Sequence, residues 1–476
     1  MMISVIFPEP HNLKNLLGCI GAFALVAASV PTLAQQSWTV KREWVTAHEY
    51  FLSSDVLAGR GSATRDEELA ATYVASEFQN YGLKPAPGVN GYMQSAEIAA
   101  PRLDGHATLQ IDGATLQEGA DFFLFSSSGA AASGTLVRVA AATTPRAELP
   151  AHSAVLVTGA ADPKSLFPAI SALRRSGAAI ILIPETPALS ALPQMIGGET
   201  RVGIRLADDT PRRTPTVILI HADAAAKLPT TDGAQIAINV QEIPKTKPRQ
   251  TFNAIGYLPG TDPSAGTLLL SAHLDHLGSG RPVNGDSIYN VANDDAAGTT
   301  AVLELAHALA AGPQLRRSIL FVCYGSEELG GLGSTYFGKH PPVPLTDLVA
   351  NLEFEMIGTQ DPKMPPGVLL FTGWDRSNLG PSLKEHGALL GPDPYPEQHF
   401  FERSDNYSLA LQGVVAHTAA GWGTPPTYHQ PSDDMAHLDI AFMTRAIQSL
   451  IEPVRWLASS DFHPQWNPGG EPKPGN

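Results

Sequence analysis

Apolar, strand-like segments alternate with helical segments through the second half of this chain, from about residue 252 onward. Runs of mainly apolar residues predict three strands, at 267–272, 319–324 and 352–356. Apolar residues at helical spacing predict two helices, at 298–310 and 440–458. Strands that are apolar on both faces are typical of buried sheets with many parallel pairings. This order therefore predicts an α/β fold with a mixed, mostly parallel sheet flanked by helices.

The stretch from 101 to 247 has a different texture. Short apolar runs alternate there with turn-forming residues, without the clustered acids and histidines that follow later in the chain. A strand, a helix and a second strand are predicted to form a βαβ unit within it, at 154–158, 166–175 and 179–183. A basic, proline-containing linker at 243–249 ends this stretch. We therefore predict a smaller, β-rich domain inserted at 101–247.

The main domain is then predicted in two parts, 35–100 and 248–460. A helical stripe at 65–81 belongs to the first part, and the glycine at 82 stops it. The segment 461–476 is rich in proline and glycine and is predicted to be a disordered tail.

The first 34 residues have the pattern of a secretory signal peptide. Lys14 supplies positive charge, residues 16–30 are almost wholly apolar, and small residues stand at the cleavage positions 32–34. The apolar run of about fifteen residues is short for a bilayer span. We predict export to the periplasm or the extracellular space, without a membrane span; a lipobox-like segment at 16–19 is the alternative.

Charge and cysteine content limit the function classes further. The formal net charge is −15, and a nucleic-acid-binding protein would need a basic face, so no nucleic-acid partner is expected. The two cysteines are Cys19 and Cys323. Removal of the signal leaves one thiol and no internal disulfide, and Cys323 lies in an apolar strand, which predicts a buried structural thiol.

Acidic and histidine residues follow the predicted strands, where working residues of open α/β sheets collect. Together with acids before a helix and a histidine near the end of the domain, they form a set typical of metal ligands and their partners: His273, Asp275, Asp294, Asp295, Glu327, Glu328, Glu355 and His429. Two imidazoles and several carboxylates are enough to hold two divalent ions that share one carboxylate. A site of this type hydrolyses amide bonds by activating a water.

Simpler interpretations exist for several of these residues. Asp294 and Asp295 stand before a helix, where carboxylates commonly cap backbone N–H groups. Glu327 and Glu328 lie in a glycine-rich turn, either as solvated acids or as one ligand beside one general base. The histidines outside the set, His276 and His307, are interpreted as structural.

Five motifs together resemble the co-catalytic zinc aminopeptidases of the M28 family, in family order and spacing. They lie at 271–278, 293–298, 325–330, 355–358 and 428–433. The resemblance covers nearly all of 252–458 and implies the zinc aminopeptidase, or phosphorylase/hydrolase-like, fold. The stretch 101–247 also resembles the protease-associated (PA) domain that many members carry.

The resemblance implies a ligand set for two Zn²⁺ ions per chain. Asp294 would bridge both ions, His273 and Glu355 would complete one site, and Glu328 and His429 the other. The family often holds the peptide bond after the bridging aspartate in cis, here Asp294–Asp295. His/carboxylate sites also accept cobalt or manganese.

The resemblance also implies catalytic roles and a peptide substrate with a free N-terminus. Glu327 would be the general base, Asp275 the partner that orients His273, and Tyr428 a hydrogen-bond donor to the oxyanion. Arg403 lies in a segment that lines the substrate cleft in the family, and it would contact substrate or pair with Asp405. The preferred side chain and the oligomeric state stay open.

The chain departs from the common family pattern in three places. Aspartate is more usual where Glu355 stands, and Glu353 points to the same strand face, so either glutamate is a candidate ligand. Val291 and Ala297 replace a glycine and a serine beside Asp294. Three alternative functions remain: a glutaminyl cyclase-like acyltransferase with one zinc, a carboxypeptidase of the same family, and a non-catalytic binding module.

Overall fold

Two nine-stranded sheets organise the computed structural model of this chain. The structure describes residues 38–142, 149–150, 152–160, 162–190, 193, 201–210, 214–243 and 248–473. The predicted signal peptide, its lipobox-like alternative and most of the predicted linker lie outside these residues.

Nine α-helices occur in the described residues. They are α1 (Arg42–Leu52), α2 (Arg65–Asn80), α3 (Pro163–Arg175), α4 (Ala222–Ala225), α5 (Ala297–Ala310), α6 (Leu332–Lys339), α7 (Leu379–Glu385), α8 (Asn406–Ala410) and α9 (Ile440–Ser459). The helices predicted at 65–81, 166–175, 298–310 and 440–458 correspond to α2, α3, α5 and α9.

The strands of the first half and of the inserted stretch are β1 (Met93–Ala99), β2 (Arg102–Leu103), β3 (Thr108–Ile111), β4 (Ala114–Gln117), β5 (Phe122–Ser127), β6 (Ala132–Ala140), β7 (Ser153–Thr158), β8 (Ile180–Pro184), β9 (Arg201–Val202), β10 (Arg205–Leu206), β11 (Thr216–Ile220), β12 (Gln235–Asn239) and β13 (Glu242–Ile243). The remaining strands are β14 (Arg249–Leu258), β15 (Thr267–His273), β16 (Ser279–Val283), β17 (Asp286–Ile288), β18 (Ser318–Tyr324), β19 (Leu348–Glu355), β20 (Leu369–Phe371), β21 (Leu390–Pro392) and β22 (Ala416–Ala420).

The first sheet has the order β10-β1-β14-β18-β15-β19-β22-β20-β21. Its central strands β18, β15, β19 and β22 pair in parallel, and antiparallel pairings flank them on both sides. In register, His273 at the end of β15 stands opposite Tyr324 at the end of β18. The carboxyl ends of the central strands therefore meet at one edge, and the predicted mixed α/β fold is confirmed.

Helices cover both faces of this sheet. Leu320 and Val322 of β18 belong to a buried cluster with Phe337 of α6. Phe321 points the opposite way, as alternation along a strand requires, and its ring lies 6.2 Å from that of Phe78 in α2. On that side α5 packs against β15 and β19, and α1 and α9 pack against α5. Every residue of β15 and β18 is buried, which explains their continuous apolar sequence.

The second sheet has the order β4-β3-β12-β6-β7-β8-β11-β5-β9 and is built from residues 108–239. Strands β6, β7, β8 and β11 pair in parallel, and α3 connects β7 to β8 as the predicted βαβ unit. One strand of this stretch, β10, pairs instead with β1 of the first sheet. The inserted PA-like domain at 101–247 stays a prediction, and Thr39–Asn476 clusters as one compact unit.

The prediction of a disordered tail is wrong for residues 461–473. Trp466 forms an isolated bridge with Ser377, and its indole Nε1 donates a hydrogen bond to the carbonyl of Gly413 at 3.3 Å. The Trp466 ring also lies 5.3 Å from that of the buried His417. Proline and glycine shape this segment into turns, and one aromatic side chain anchors it.

The described residues also bear on the predictions of a buried structural thiol and of no membrane span. Cys323 is a free, buried cysteine, and burial raises the pKa of its thiol above the usual range, as expected for a structural thiol. None of the helices within the described residues is both long enough and apolar enough to span a bilayer.

Candidate metal centre

The predicted ligands lie together at the carboxyl edge of the central strands. His273 is the last residue of β15 and Glu355 the last residue of β19. Glu327 and Glu328 follow β18 after a tight turn in which Ser326 has a left-handed φ of 53°. Asp294 lies in the irregular turn that leads into α5. The sheet thus brings together residues from distant parts of the sequence.

Two groups of possible ligand atoms share Asp294. One contains His273, Asp294 and Glu355, and the other contains His276, Asp294, Glu328 and His429; within each group the atoms lie within 4.8 Å of one another. Asp294 Oδ1 is 3.2 Å from His273 Nε2, and Asp294 Oδ2 is 3.3 Å from His429 Nε2. Each carboxylate oxygen therefore faces a different group.

The donor atoms suit a divalent cation. His273 Nε2 and Asp294 Oδ1 are buried and have no hydrogen-bond partner among the described residues, although they lie 3.2 Å apart. Buried polar atoms without partners are unfavourable. A cation between them would satisfy both, and imidazole nitrogen with carboxylate oxygen is a common zinc donor set. The residues present fit a bound zinc ion.

Electrostatics support the same fit. Burial raises the pKa of Glu355 to about 7 and that of Glu327 well above its usual value, and His273 opposes both shifts. Burial acts in the same direction on Asp294, but the rings of His276 and His273 hold the pKa of Asp294 well below its usual value. Several carboxylates thus share one buried space, which bound cations would neutralise.

Glu355 and Glu353 occupy different environments. Glu353 accepts hydrogen bonds from Asn406 N at 2.6 Å, from Thr418 Oγ1 at 3.1 Å and from Ser404 Oγ at 3.1 Å. Its carboxylate is therefore fully engaged in holding the segment that begins α8. Glu355, in contrast, lies in the group with His273 and Asp294.

Asp275 lies next to His273, but its carboxylate contacts a different part of the site. The His273 Nδ1 is 3.2 Å from the backbone carbonyl of Asp275 and 3.8 Å from the carboxylate Oδ1. The carboxylate instead accepts the backbone N–H of Glu327 at 2.9 Å and the hydroxyl of Ser62 at 2.6 Å. The predicted contact with His273 is thus made by the main chain, while the side chain fixes the Glu327–Glu328 turn.

Asp295 has a wider structural role than the helix capping that the sequence suggested. Its carboxylate accepts backbone N–H groups from Gly298 at 2.8 Å, from Met356 at 3.0 Å and from His273 at 3.3 Å. The capping interpretation therefore applies to Asp295, which also ties three ligand-bearing segments together. The Asp294–Asp295 peptide bond is cis, as the resemblance implied.

Two further carboxylates that the sequence did not single out hold the ligand loops. Asp433 accepts the backbone N–H groups of Asn293 and Asp294, both at 3.0 Å. Glu67 of α2 accepts the N–H of Ser326 at 3.1 Å and that of Phe252 at 2.9 Å. No local sequence pattern could have identified this contact, because Glu67 and Ser326 are 259 positions apart.

A cavity opens beside the Asp294 groups. Glu355, Arg403 and Tyr428 line its polar side, and apolar residues line the rest, among them Met356, Leu370, Phe400 and Ala420. The Arg403 guanidinium lies over the Phe400 ring at 5.1 Å. Neither carboxylate oxygen of Asp405 has a hydrogen-bond partner among the described residues, so the alternative pairing of Arg403 with Asp405 is wrong.

The model of peptidase family M28 matches residues 253–453 of this chain. Leupeptin-inactivating enzyme 1 of Streptomyces exfoliatus is 31% identical over 165 residues, which are 34% of this chain and 34% of that protein. Aminopeptidase YwaD of Bacillus subtilis is 27% identical over 154 residues, 31% of this chain and 33% of that protein. The matched part thus spans about a third of the length of these curated relatives.

Solved structures share the fold over most of the chain. The aminopeptidase from Aneurinibacillus sp. strain AM-1 superposes with a TM-score of 0.55 at 18% identity, covering 88% of this chain and 94% of that one. BSAP, a zinc aminopeptidase from Bacillus subtilis, gives a TM-score of 0.51 at 18% identity, covering 88% and 96%. Residues 253–453 of this chain, the part that the family model matches, are thus assigned to peptidase family M28.

Proposed function

We propose that this chain is an exported metallo-aminopeptidase that removes N-terminal residues from peptides with the help of two zinc ions. The observation that carries the proposal is the pair of ligand groups that share Asp294, with one carboxylate oxygen turned toward each group. A relative named as an aminopeptidase supports cleavage at the N-terminal end of the substrate. Export rests on the signal-like pattern of residues 1–34.

When bound, two zinc ions polarise the substrate carbonyl and make a nearby water more acidic. Glu327 is the general base in this proposal. Its half-buried carboxylate lies beside the ligand groups, and burial raises its pKa well above the usual value. A carboxylate with a raised pKa is a better base, able to take up a proton and then deliver it to the leaving amine. The hydrogen bond from Glu327 N to Asp275 holds this residue in place.

Tyr428 and Arg403 bind the substrate from the cavity side. Burial raises the pKa of Tyr428 well above its usual value, so its hydroxyl keeps its proton and serves as a hydrogen-bond donor to the developing oxyanion. The apolar residues of the cavity accommodate the side chain of the residue to be removed.

The guanidinium of Arg403 favours one alternative function, that of a carboxypeptidase. A guanidinium in the cavity would suit the terminal carboxylate of a carboxypeptidase substrate. Aminoacyl p-nitroanilides and peptides blocked at the N-terminus separate the two activities. We expect turnover of the free-amino substrates, and cleavage of the blocked peptides alone would favour the carboxypeptidase. A count of one zinc per chain would favour the glutaminyl cyclase-like alternative.

The substitution Glu327→Gln tests the mechanism. We expect kcat to fall by about 10²–10⁴-fold, because the base is lost while the ligands remain. Zinc content should stay at two ions per chain, measured by elemental analysis. The matched control is Glu385→Gln at an exposed position of α7, which should leave kcat and zinc unchanged. Undiminished turnover in Glu327→Gln would overturn the assignment.

A further inference from the structure

His276 lies in the ligand group, although the sequence interpretation treated it as structural. Its side chain is completely buried. His276 Nδ1 is 2.6 Å from Glu328 Oε1 and 3.9 Å from Asp294 Oδ2. Its ring meets that of His429 edge to face, with 4.9 Å between the centroids. The imidazole thus points at the same small volume as three implied ligands.

The backbone of His276 fixes this position. Its N–H donates to the carbonyl of Arg60 at 2.9 Å, and its carbonyl accepts the N–H of Ser62 at 3.0 Å. The polar contacts of the ring are with implied ligands, since Nδ1 pairs with Glu328 Oε1 and Nε2 has no hydrogen-bond partner among the described residues. A buried polar atom without a partner is unfavourable, and a bound cation would satisfy such an atom. The contacts of the His276 ring are therefore those of a member of the ligand group.

We infer that His276 is a fourth protein ligand of the zinc ion held by Asp294, Glu328 and His429. The inference rests on the proposed dizinc function and adds an asymmetry to it. One ion would have two imidazoles and two carboxylates, and the other one imidazole and two carboxylates. Zinc is a borderline-soft cation that binds imidazole well, so the site with His276 is the tighter one and fills first.

Zinc affinity of the whole chain, measured by competition with a chromophoric chelator, tests this order. In the wild type we expect two ions of different affinity. His276→Ala should lower the zinc affinity of the tighter site by about 100-fold or more and leave the other ion in place. This loss is larger than the loss expected from substitution of a residue that only contacts a ligand. The control His437→Ala, at a half-exposed position outside the group, should bind both ions as the wild type does.

His276→Asn separates a ligand from a simple hydrogen-bond donor to Glu328. The amide keeps an N–H donor but is a poor zinc ligand, so the affinity should stay low. X-ray absorption of the protein carrying one zinc should count two imidazoles in the wild type and one in His276→Asn. Circular dichroism of the zinc-free variants shows whether each is folded, and either folded variant suffices for the zinc measurement.

Unchanged zinc affinity in His276→Ala, affinity restored by His276→Asn, or a single imidazole in the wild-type spectrum would each overturn the inference. The proposed function fails differently. It fails if His429→Ala and Glu355→Ala both bind zinc as the wild type does, because these residues are ligands whether or not His276 is one.

Discussion

The two nine-stranded sheets place very different residues in their interiors. In the second sheet and its helix, the buried polar side chains among the described residues are hydroxyls alone, those of Ser127, Ser153 and Thr216. In the first sheet and its helices, buried side chains include histidines, aspartates and glutamates. Burial of an ionisable group is unfavourable unless partners compensate it. The buried charge therefore marks which of the two sheets carries the chemistry.

Topology alone does not make this distinction. Both sheets contain parallel strands, and both have polar residues just beyond their carboxyl ends. After β8 and β11 of the second sheet, Glu185 and His221 form an ion pair at 3.1 Å, but both side chains are partly exposed. Glu185 also accepts the N–H of Ala222. The polar atoms of this surface pair already have partners and solvent, so no cation is required there, in contrast to the buried atoms of His273 and Asp294.

The largest expected effect on kcat comes from substitution of one carboxylate in the ligand groups at the edge of the first sheet. Glu355→Gln should remove the ion held with His273 and lower kcat by about 10³-fold, which is about 4 kcal/mol of transition-state stabilisation. Glu353→Gln is the matched control two residues earlier on β19. It should keep both ions, because Glu353 contacts Asn406, Ser404 and Thr418. Zinc loss in Glu353→Gln with retention in Glu355→Gln would reverse the ligand assignment.

A core substitution in the second sheet should affect stability and leave the chemistry intact. Ile218 of β11 is fully buried in an apolar cluster. Ile218→Ala should lower the free energy of unfolding by about 3 kcal/mol, through lost burial and the cavity left behind. Ile218→Val should lower it by about 1 kcal/mol. Denaturant titration measures both values, and kcat and zinc content of the folded protein should not change.

A fall in kcat or in zinc content that parallels the lost stability of Ile218→Ala would contradict this separation. It would mean that the packing of the second sheet determines the geometry of the ligand groups. The comparison between the sheets would then be one of composition and not of function.

The local sequence was sufficient to place the candidate ligands at strand ends but not to predict what holds them. An apolar strand ends directly before His273, and Glu355 stands at the end of the third predicted strand, where the sequence left Glu353 as an alternative. The supports Glu67 and Asp433 lie far in sequence from the turns they hold, and only the fold brings them there. The position of His276 could not be predicted for a related reason. Its burial beside Glu328 depends on backbone contacts with the N-terminal segment around Arg60.

The last expected effect is on stability, and it concerns a buried acid in the helices that cover the first sheet, outside the ligand groups. Glu49 of α1 is fully buried, and neither of its carboxylate oxygens has a hydrogen-bond partner among the described residues. Burial raises the pKa of Glu49 to about 8, although Arg60 opposes the shift. The folded protein thus holds this proton more tightly than the unfolded chain does. The contribution of Glu49 to stability is complete below about pH 4.5 and is lost as the pH rises toward 8.

Glu49→Gln removes this titration while keeping the size of the side chain. The variant should therefore be more stable than the wild type at pH 8, and the difference between the two proteins should be much smaller at pH 5. Glu43→Gln, at an exposed position of the same helix, is the control and should follow the wild type at both pH values. Thermal unfolding at each pH gives the differences, in which effects common to all variants cancel. A Glu49→Gln protein less stable than the wild type at pH 8 would show that the ionised carboxylate stabilises the fold, and that buried charge in the first sheet is not confined to a function at the strand ends.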